Sequence, residues 1–398
     1  MSLPPSTERD TDSRIIRISH NHLHINDPDF YHEVFKPGTA FHRDPAFYTS
    51  LPFSNSVASL TDFHHHSLRR IKLNPAFTPS AVQSSLSTLI INIEDIGETL
   101  SRACRHGRPL NIQRLFVYLS LNMISDRIFG RSLRISHDQE TLDDLATTLH
   151  FLHRHTLLFL NFPLLGKLVN LLPQWLLHWI VPGYVRMRKV RSAFMLLEKA
   201  KKGLLPAFHE SEPLTPANSK YCASNLASIQ EGREQANRDP NPDKRTLCDI
   251  LLADGAESTS TGDFIDEAVL FMFAGADTTS YALANAVYHL LSSPRVLQTL
   301  QRELQNVDAQ IRAHDWAATT VSTSHLSISR NATIFRNPRI YQPERWLSEG
   351  ANGLDHWKVQ FSKGPLAQME MTMTLAYLFN RFDLVLYGTG AESMRVSD

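Results

Sequence analysis

The feature that most constrains the fold is one long stretch, residues 263–291, with apolar side chains at helical spacing. Ser260, Thr261 or Asp263 can cap its start, and Pro294 lies just beyond its end. At 1.5 Å per residue such a helix is about 40 Å long, enough to cross a domain. Its first half is apolar on nearly every face, so we expect it to be central and buried.

Helical spacing also dominates the rest of the chain. The alternating apolar residues Ile16, Ile18, Leu23 and Ile25 instead predict a strand or hairpin, with a helix following from Asp27. Further helices are predicted over residues 62–73, 80–104, 111–129, 139–160, 175–204, 244–253, 294–310 and 366–380, a linker over 211–243, and a closing strand over 382–388.

The predicted fold class is therefore mainly α with a small β part, arranged as one domain over residues 1–398. Its predicted parts are a β and helical start at 14–60, a helical body at 61–310 that contains the central helix 263–291, and a loop-rich end at 315–398.

The charge balance bears on the partners of the chain. The 40 basic and 40 acidic residues give a formal net charge of zero, so we expect no nucleic-acid partner. The three cysteines, Cys104, Cys222 and Cys248, lie far apart and form no Cys-x-x-Cys pair. They predict free thiols in an intracellular, reducing compartment.

Membrane contact is expected to be peripheral. The N-terminal sequence is polar and carries no apolar run for a signal peptide or anchor. Residues 157–181 are the most apolar stretch, but Pro163, Lys167 and Pro173 interrupt them. With two tryptophans four residues apart, they favour a helix at a membrane interface or over an apolar pocket, with a buried core helix as the alternative.

The turn Ala274-Gly275-Ala276-Asp277-Thr278 carries the first chemical signal. Gly275 costs about 1 kcal/mol against Ala in a helix, and a buried Asp277 needs a partner. The Thr278 hydroxyl can bond the carbonyl of Ala274 and bend the helix. Three unfavourable choices in one buried turn indicate a site, while a packing notch of small residues is the alternative.

This turn, read as AGADTTS, resembles the oxygen-binding turn of the cytochrome P-450 family, with the overall likeness greatest to fungal trichodiene-oxygenase-type enzymes of secondary metabolism. The resemblance implies that Ala274 and Gly275 open a groove over a haem. It also implies that Asp277 and Thr278 act as a pair that relays protons to bound dioxygen.

A second stretch, HHHSLRRIKLNPAF, resembles the helix of the family that binds haem propionates. The resemblance assigns that contact to His66 and Arg70, which are four residues apart and share one helical face. A metal site made of His64, His65 and His66 is the weaker interpretation, because consecutive helical residues point in different directions.

Two further matches follow in the order of the family. FRNPRIYQPERWL resembles its Pro-Glu-Arg-Phe/Trp meander, and we expect Arg345 to hold that loop together. FSKGP resembles the start of the haem-binding loop, with Phe361 and Gly364 in the Phe-x-x-Gly positions. The resemblance covers nearly the whole chain.

The sequence departs from the family at two internal points. In the family, the loop continues from Phe-x-x-Gly through an Arg to the axial Cys that ligates the iron. Here Pro365 is followed directly by Leu366, and the Glu-x-x-Arg helix expected between residues 310 and 330 is also missing, with the break near Trp316. Sharp gaps between matching segments indicate wrongly predicted splice sites or a deleted, decaying gene, because gradual drift would leave altered residues instead.

The resemblance implies haem b as cofactor, electrons from NADPH through a cytochrome reductase, an apolar small-molecule substrate, and association with the endoplasmic-reticulum membrane. The missing segment predicts that no metal ligand is present in this chain. The first hypothesis is therefore a monooxygenase in truncated form. The alternative is a haemless remnant that binds apolar ligands or proteins.

Overall fold

The computed structural model describes residues 15–19, 22–25, 27–36, 38–48, 53, 55–130, 245–251, 261–307, 332, 334–338, 340–346, 354 and 364–390. The chain divides into two compact units. Unit 1 comprises residues 1–43, 288–363 and 384–398, and unit 2 comprises residues 44–287 and 364–383. The predicted single domain over the whole chain stays a prediction, and the segments 139–160, 157–181, 175–204 and 211–243 lie outside the described residues.

Unit 1 begins with the predicted hairpin. Strands β1 (Ile15–Ser19) and β2 (His22–Ile25) pair antiparallel, with Ile15 opposite Ile25 and an irregularity near Ser19. Helix α1 (Pro28–Phe35) follows, and the Asp27 side chain accepts hydrogen bonds from the first-turn amides, as an N-cap does. The hairpin and the helix start near Asp27 are both confirmed.

Unit 2 holds most of the described helices. Short α2 (Pro45–Tyr48) precedes α3 (Phe63–Leu73), a 3₁₀ turn (Asn74–Phe77), α4 (Pro79–Gln83), α5 (Leu86–Arg105), α6 (Ile112–Phe129) and α7 (Leu247–Leu251). The prediction of one helix over 80–104 is wrong at its start. There the Ser84 hydroxyl bonds the carbonyl of Ala81 at 2.7 Å, a local bond that competes with helix continuation.

The core of unit 2 is built around α6, which is buried from Phe116 to Ser125. Asn111 caps its start, and Gly130 ends it in the left-handed conformation at φ 78°. Because α6 is enclosed on all sides, a polar residue on it must find partners inside the protein.

The central helix α8 spans Thr261–Leu291, two residues longer at its start than the sequence predicts. Phe264, Ala268 and Ala276 are fully or almost fully buried, which confirms the expected central position of its first half. Helix α9 (Pro294–Val307) follows after a two-residue turn, as predicted. No helix in the described part of the chain combines the length and apolar character that a bilayer crossing requires.

The C-terminal helix α10 (Pro365–Arg381) agrees with the predicted helix over 366–380. The prediction of a strand over residues 382–388 is wrong. Phe382 is extended, but no described segment pairs with this stretch, and Val385 and Tyr387 are exposed. Alternating apolar residues favour an extended backbone, but a strand exists only where a neighbouring strand accepts its hydrogen bonds.

Candidate functional site

The predicted oxygen-binding turn lies in α8, and one of its expected bonds is present. The Thr278 hydroxyl donates to the Ala274 carbonyl at 2.7 Å. Gly275 has a packing reason as well, because a Cβ at this position would lie 3.0 Å from Cγ1 of Ile124 on α6. The glycine therefore lets α6 and α8 approach closely, and the small-residue packing notch accounts for part of this turn.

The face of α8 that carries Ala274 and Thr278 is open. Both side chains are exposed, whereas Ala276 is fully buried and Asp277 is partly buried. Phe273, on another face, packs against Phe53 with ring centroids 6.2 Å apart. A cavity shared by Phe273, Ala274 and Thr278, and the roles of Asp277 and Thr278, stay predictions.

The two predicted propionate residues lie on α3, which starts after the Asp62 cap. His66 is partly buried, and the Arg70 side chain is exposed while its carbonyl accepts the amide of Asn74 at the helix end. Both side chains belong to the helix and register that the sequence predicts. Their contact with a propionate stays a prediction.

The neighbouring arginine, Arg69, is the residue that connects α3 to α8. Its Nη2 lies 3.1 Å from Oδ2 of Asp263, and its Nη1 lies 3.6 Å from Oε1 of Glu267. The loop before α3 joins the same cluster, since the Asn55 amide donates to Asp266 and the Val57 amide to Glu267, each at 2.9 Å.

Burial of Glu267 has an electrostatic consequence. Desolvation raises the pKa of Glu267 to about 7, against the opposing effect of the Arg69 charge. Sequence reasoning missed this cluster. The available signal was the spacing of Asp263, Asp266 and Glu267, which puts three carboxyls on one side of the predicted helix and requires a basic partner.

The haem-loop match ends in a helix cap. Gly364 is the N-cap residue of α10, Pro365 is its first helical residue, and the Gly364 carbonyl accepts the amide of Gln368 at 3.4 Å. The helix therefore begins at once where the family loop should continue to the axial Cys. Phe361 lies outside the described residues.

The donors near this loop do not fit a haem-thiolate iron. A glycine and a proline at the helix start offer no side-chain ligand. Cys104 is exposed near the end of α5, Cys222 lies outside the described residues, and Cys248 falls within α7.

A buried carboxyl on α10 also escaped sequence reasoning. Glu370 is 2% exposed, and desolvation raises its pKa to about 8, only partly offset by the nearby Ser120 hydroxyl of α6. Among the described residues, Glu370 Oε2, Ser120 Oγ and Thr374 Oγ1 satisfy no hydrogen-bond geometry. Glutamate is common in helices, so the sequence of α10 alone does not indicate that Glu370 is buried. Its burial is evident only once α10 is seen to pack near Ser120 of α6.

The meander in unit 1 matches its prediction in detail. Arg345 donates to the carbonyls of Gln342, Asn337 and Ile340 at 3.1, 3.3 and 3.2 Å, and its guanidinium lies 5.8 Å from the ring centre of Phe335. Three carbonyls of one loop held by one guanidinium fix its path. The expected role of Arg345 is confirmed.

Two further contacts join the meander to the last turn of α8 and to α9. The His289 ring stacks on Tyr341 with centroids 4.7 Å apart, and Arg295 pairs with Glu344. Burial lowers the pKa of His289, so its ring favours the neutral form that stacks here.

Comparison with known proteins gives the same assignment as the motifs. The family model "Cytochrome P450" matches residues 14–318 and 317–395. Cytochrome P450 monooxygenase penB of Penicillium thymicola is 26% identical, covering 97% of this chain and 93% of the relative. Cytochrome P450 monooxygenase phqM of Penicillium fellutanum is 27% identical, with 99% and 78% covered, and aneF of Aspergillus aculeatus is 25% identical, with 97% and 83% covered.

The alignments also bear on the internal gaps. For penB, 97% of the 398 residues is about 386, so about 59 of the 445 aligned positions are residues of the relative without a counterpart here. The two segments of the family match meet at residues 317–318, next to Trp316, where the sequence predicts an omission. Matched over nearly its whole length, the chain belongs to the cytochrome P450 family.

Proposed function

We propose that this chain is a monooxygenase of fungal secondary metabolism in a form that lacks its haem-ligand segment. In the intact form, haem b, dioxygen and electrons from NADPH through a cytochrome reductase would serve the oxidation of an apolar small molecule. The chain as written does not form a haem-thiolate centre. The start of α10 at Pro365, directly after the Gly364 cap, carries this proposal.

The ligand requirement supports this proposal. A thiolate must be delivered from a shielded loop, because it has to meet the iron while remaining protected from solvent. The residues from Phe361 to Pro365 contain no Cys, His, Met or Tyr. An exposed thiol such as Cys104 lacks the shielding, so it does not replace the missing ligand.

The residues that remain have assigned places in the intact form. His66 and Arg70 would hold the propionates by charge-assisted hydrogen bonds. Ala274 and Gly275 would line the groove above the haem plane, with Asp277 and Thr278 holding and passing protons at the carboxyl and hydroxyl oxygens. Phe361 and Gly364 would flank the restored loop. The open face around Thr278 gives space for these roles.

The alternative is a haemless remnant that binds apolar ligands or proteins. The observation that favours it is the exposed apolar end of the chain, where Val385 is 84% and Tyr387 75% exposed. Exposed apolar side chains of this kind commonly contact a partner. Under this alternative, restoring the missing loop would not produce haem binding.

The test is to insert the loop of a relative between Pro365 and Leu366 and the expected helix next to Trp316, and to measure haem and iron content after expression with haem supplied. We expect near-stoichiometric haem in the restored chain and little in the chain as written. The matched control carries the same insertions with the single loop Cys replaced by Ser. Equal haem content in restored chain, control and written chain would reject the proposal.

The transcript provides an independent check. Extra in-frame sequence encoding a Cys between the codons for Pro365 and Leu366 would show that the longer form of the protein is naturally expressed. A transcript that joins these codons directly would favour the haemless alternative.

A further inference from the structure

The contacts around Arg69 form one connected group, which we name the Arg69 clasp: the side chains of Arg69, Asp263, Asp266 and Glu267 with the amides of Asn55 and Val57. It joins three segments of unit 2: the loop before α3, α3 itself, and the first turns of α8. It lies apart from Asp277 and Thr278, because Glu267 is three helical turns before Thr278.

The clasp places several carboxyls of α8 close together. Those of Asp263 and Glu267 lie beside the Arg69 guanidinium, while Asp266 and Glu267 accept the amides of Asn55 and Val57. Glu267 is fully buried, and its Oε2 has no hydrogen-bond partner among the described residues. Because burial penalises the charged carboxylate, Glu267 binds a proton more tightly here than it would in water.

The clasp also determines where α3 lies along α8. Arg69 is next to Arg70 and three residues from His66, all on one short helix. Phe77 stacks on Phe271 with ring centroids 4.9 Å apart, which gives a second, apolar contact to α8. A displacement of α3 by one turn would move His66 by about 5.4 Å, farther than a hydrogen bond can adjust.

We propose that the Arg69 clasp is a positioning device that holds α3, and with it His66 and Arg70, against α8, and that it loosens as Glu267 loses its proton. The haem-binding roles of His66 and Arg70 rest on the proposed function, whereas the contacts of the clasp and the titration of Glu267 do not. Arg69 is thus a positioning residue, acting through the two residues beside it.

The direction of the pH effect follows from linkage. The pKa of Glu267 is about 7 in the closed clasp against an ordinary value of 4.5, so the closed state binds the proton more tightly than an open state. Stability of the closed state is therefore fully present below about pH 4.5, is lost as pH rises toward 7, and then stays constant.

Hydrogen exchange of the full chain, followed by mass spectrometry on peptides from residues 55–60, measures the opening directly. After correction for intrinsic exchange rates, we expect protection of this loop to fall about tenfold per pH unit between pH 5 and pH 7 and to level off above pH 7.5. Constant protection over this range would overturn the proposal.

Glu267→Gln keeps the size of the side chain and removes its titration. We expect this variant to change protection by less than about threefold over the same range. The matched control is Glu98→Gln, an exposed carboxyl on α5, which should keep the wild-type profile. A Glu267→Gln profile identical to wild type would also contradict the proposal.

Arg69→Met removes the guanidinium, and we expect protection of residues 55–60 to fall at least about tenfold at pH 6. Arg69→Lys should restore part of it, and Arg102→Met on α5 should have no effect. Circular dichroism checks that each variant is folded. If Arg69→Met does not fold, the wild-type and Glu267→Gln profiles decide the question.

These measurements use no haem. If the restored chain binds haem but the protection of residues 55–60 does not depend on pH, only this inference is contradicted. If the protection of residues 55–60 depends on pH but the restored chain binds no haem, only the proposed function is contradicted.

Discussion

Two regions of unit 2 differ in how fully their buried carboxyls are satisfied. In the α3–α8 region, Asp266 and Glu267 each accept a backbone amide at 2.9 Å, and Arg69 lies beside Asp263 and Glu267. In the α6–α10 region, Glu370 is equally buried, and among the described residues the nearby Ser120 hydroxyl is the one group that offsets part of its desolvation, without forming a hydrogen bond to it.

The difference coincides with the position of the segment that we propose to be missing. Glu370 lies five residues after the Pro365–Leu366 junction, whereas the α3–α8 contacts lie far from it in sequence. In the α3–α8 region, a guanidinium and two backbone amides offset part of the buried charge, although Glu267 Oε2 has no hydrogen-bond partner among the described residues. The α6–α10 region keeps a buried acid for which desolvation favours the neutral form more strongly.

The largest effect should come from Glu370. Its pKa of about 8 lies above the ordinary 4.5, so its contribution to stability is fully present below about pH 4.5 and is lost as pH rises toward 8. We expect the free energy of unfolding to fall between pH 5 and pH 8.5 by about 4 kcal/mol more in wild type than in Glu370→Gln. Urea unfolding at pH 5 and pH 8.5 measures this, and an equal fall in both proteins would contradict it.

The next effect concerns the packing of α5 on α10. A Cβ on Gly97 would lie 2.2 Å from the Tyr377 hydroxyl oxygen and 2.9 Å from two ring carbons. Gly97→Ala must displace this ring, so we expect a loss of about 1–3 kcal/mol despite the better helix propensity of alanine. Urea unfolding of Gly97→Ala with and without Tyr377→Leu tests whether the clash with the Tyr377 ring causes the loss. In the Tyr377→Leu background, the smaller leucine side chain should remove most of the loss in stability. A stabilised Gly97→Ala would refute the contact.

The corresponding glycine on α8 should matter less. A Cβ on Gly275 meets Ile124 at 3.0 to 3.3 Å, so this neighbour needs to move only a few tenths of an ångström. We expect Gly275→Ala to change the free energy of unfolding by less than about 1 kcal/mol, because a gain in helix propensity of similar size opposes the crowding. Thermal unfolding compared with Gly97→Ala tests this order, and a reversed order would contradict the comparison.

The smallest effect on stability belongs to Thr278. Among the described residues, its hydroxyl bonds a carbonyl of its own helix turn alone, on an exposed face. Thr278→Val keeps the shape and should change the free energy of unfolding by less than about 0.5 kcal/mol. A loss above 1 kcal/mol in the free energy of unfolding, measured with urea, would show that Thr278 has a structural role beyond its bond to the Ala274 carbonyl.

Local patterns in the sequence were sufficient for much of this structure. The ends of α8, the bond from Thr278 to Ala274 and the bonds of Arg345 within its loop depend on neighbours close in sequence. The Arg69 pairing and the burial of Glu370 depend on which helices pack together, so no local pattern predicts them. The strand over 382–388 failed for the same reason, since its existence depends on a partner elsewhere in the chain.

The central claim is that the chain as written has no thiolate for an iron. The most direct test is the spectrum of the reduced protein with carbon monoxide, recorded after expression with haem supplied. The account predicts no thiolate-type carbonyl band for the chain as written, and its appearance once the loop containing the Cys and the helix next to Trp316 are restored. A thiolate-type band from the chain as written would contradict the account.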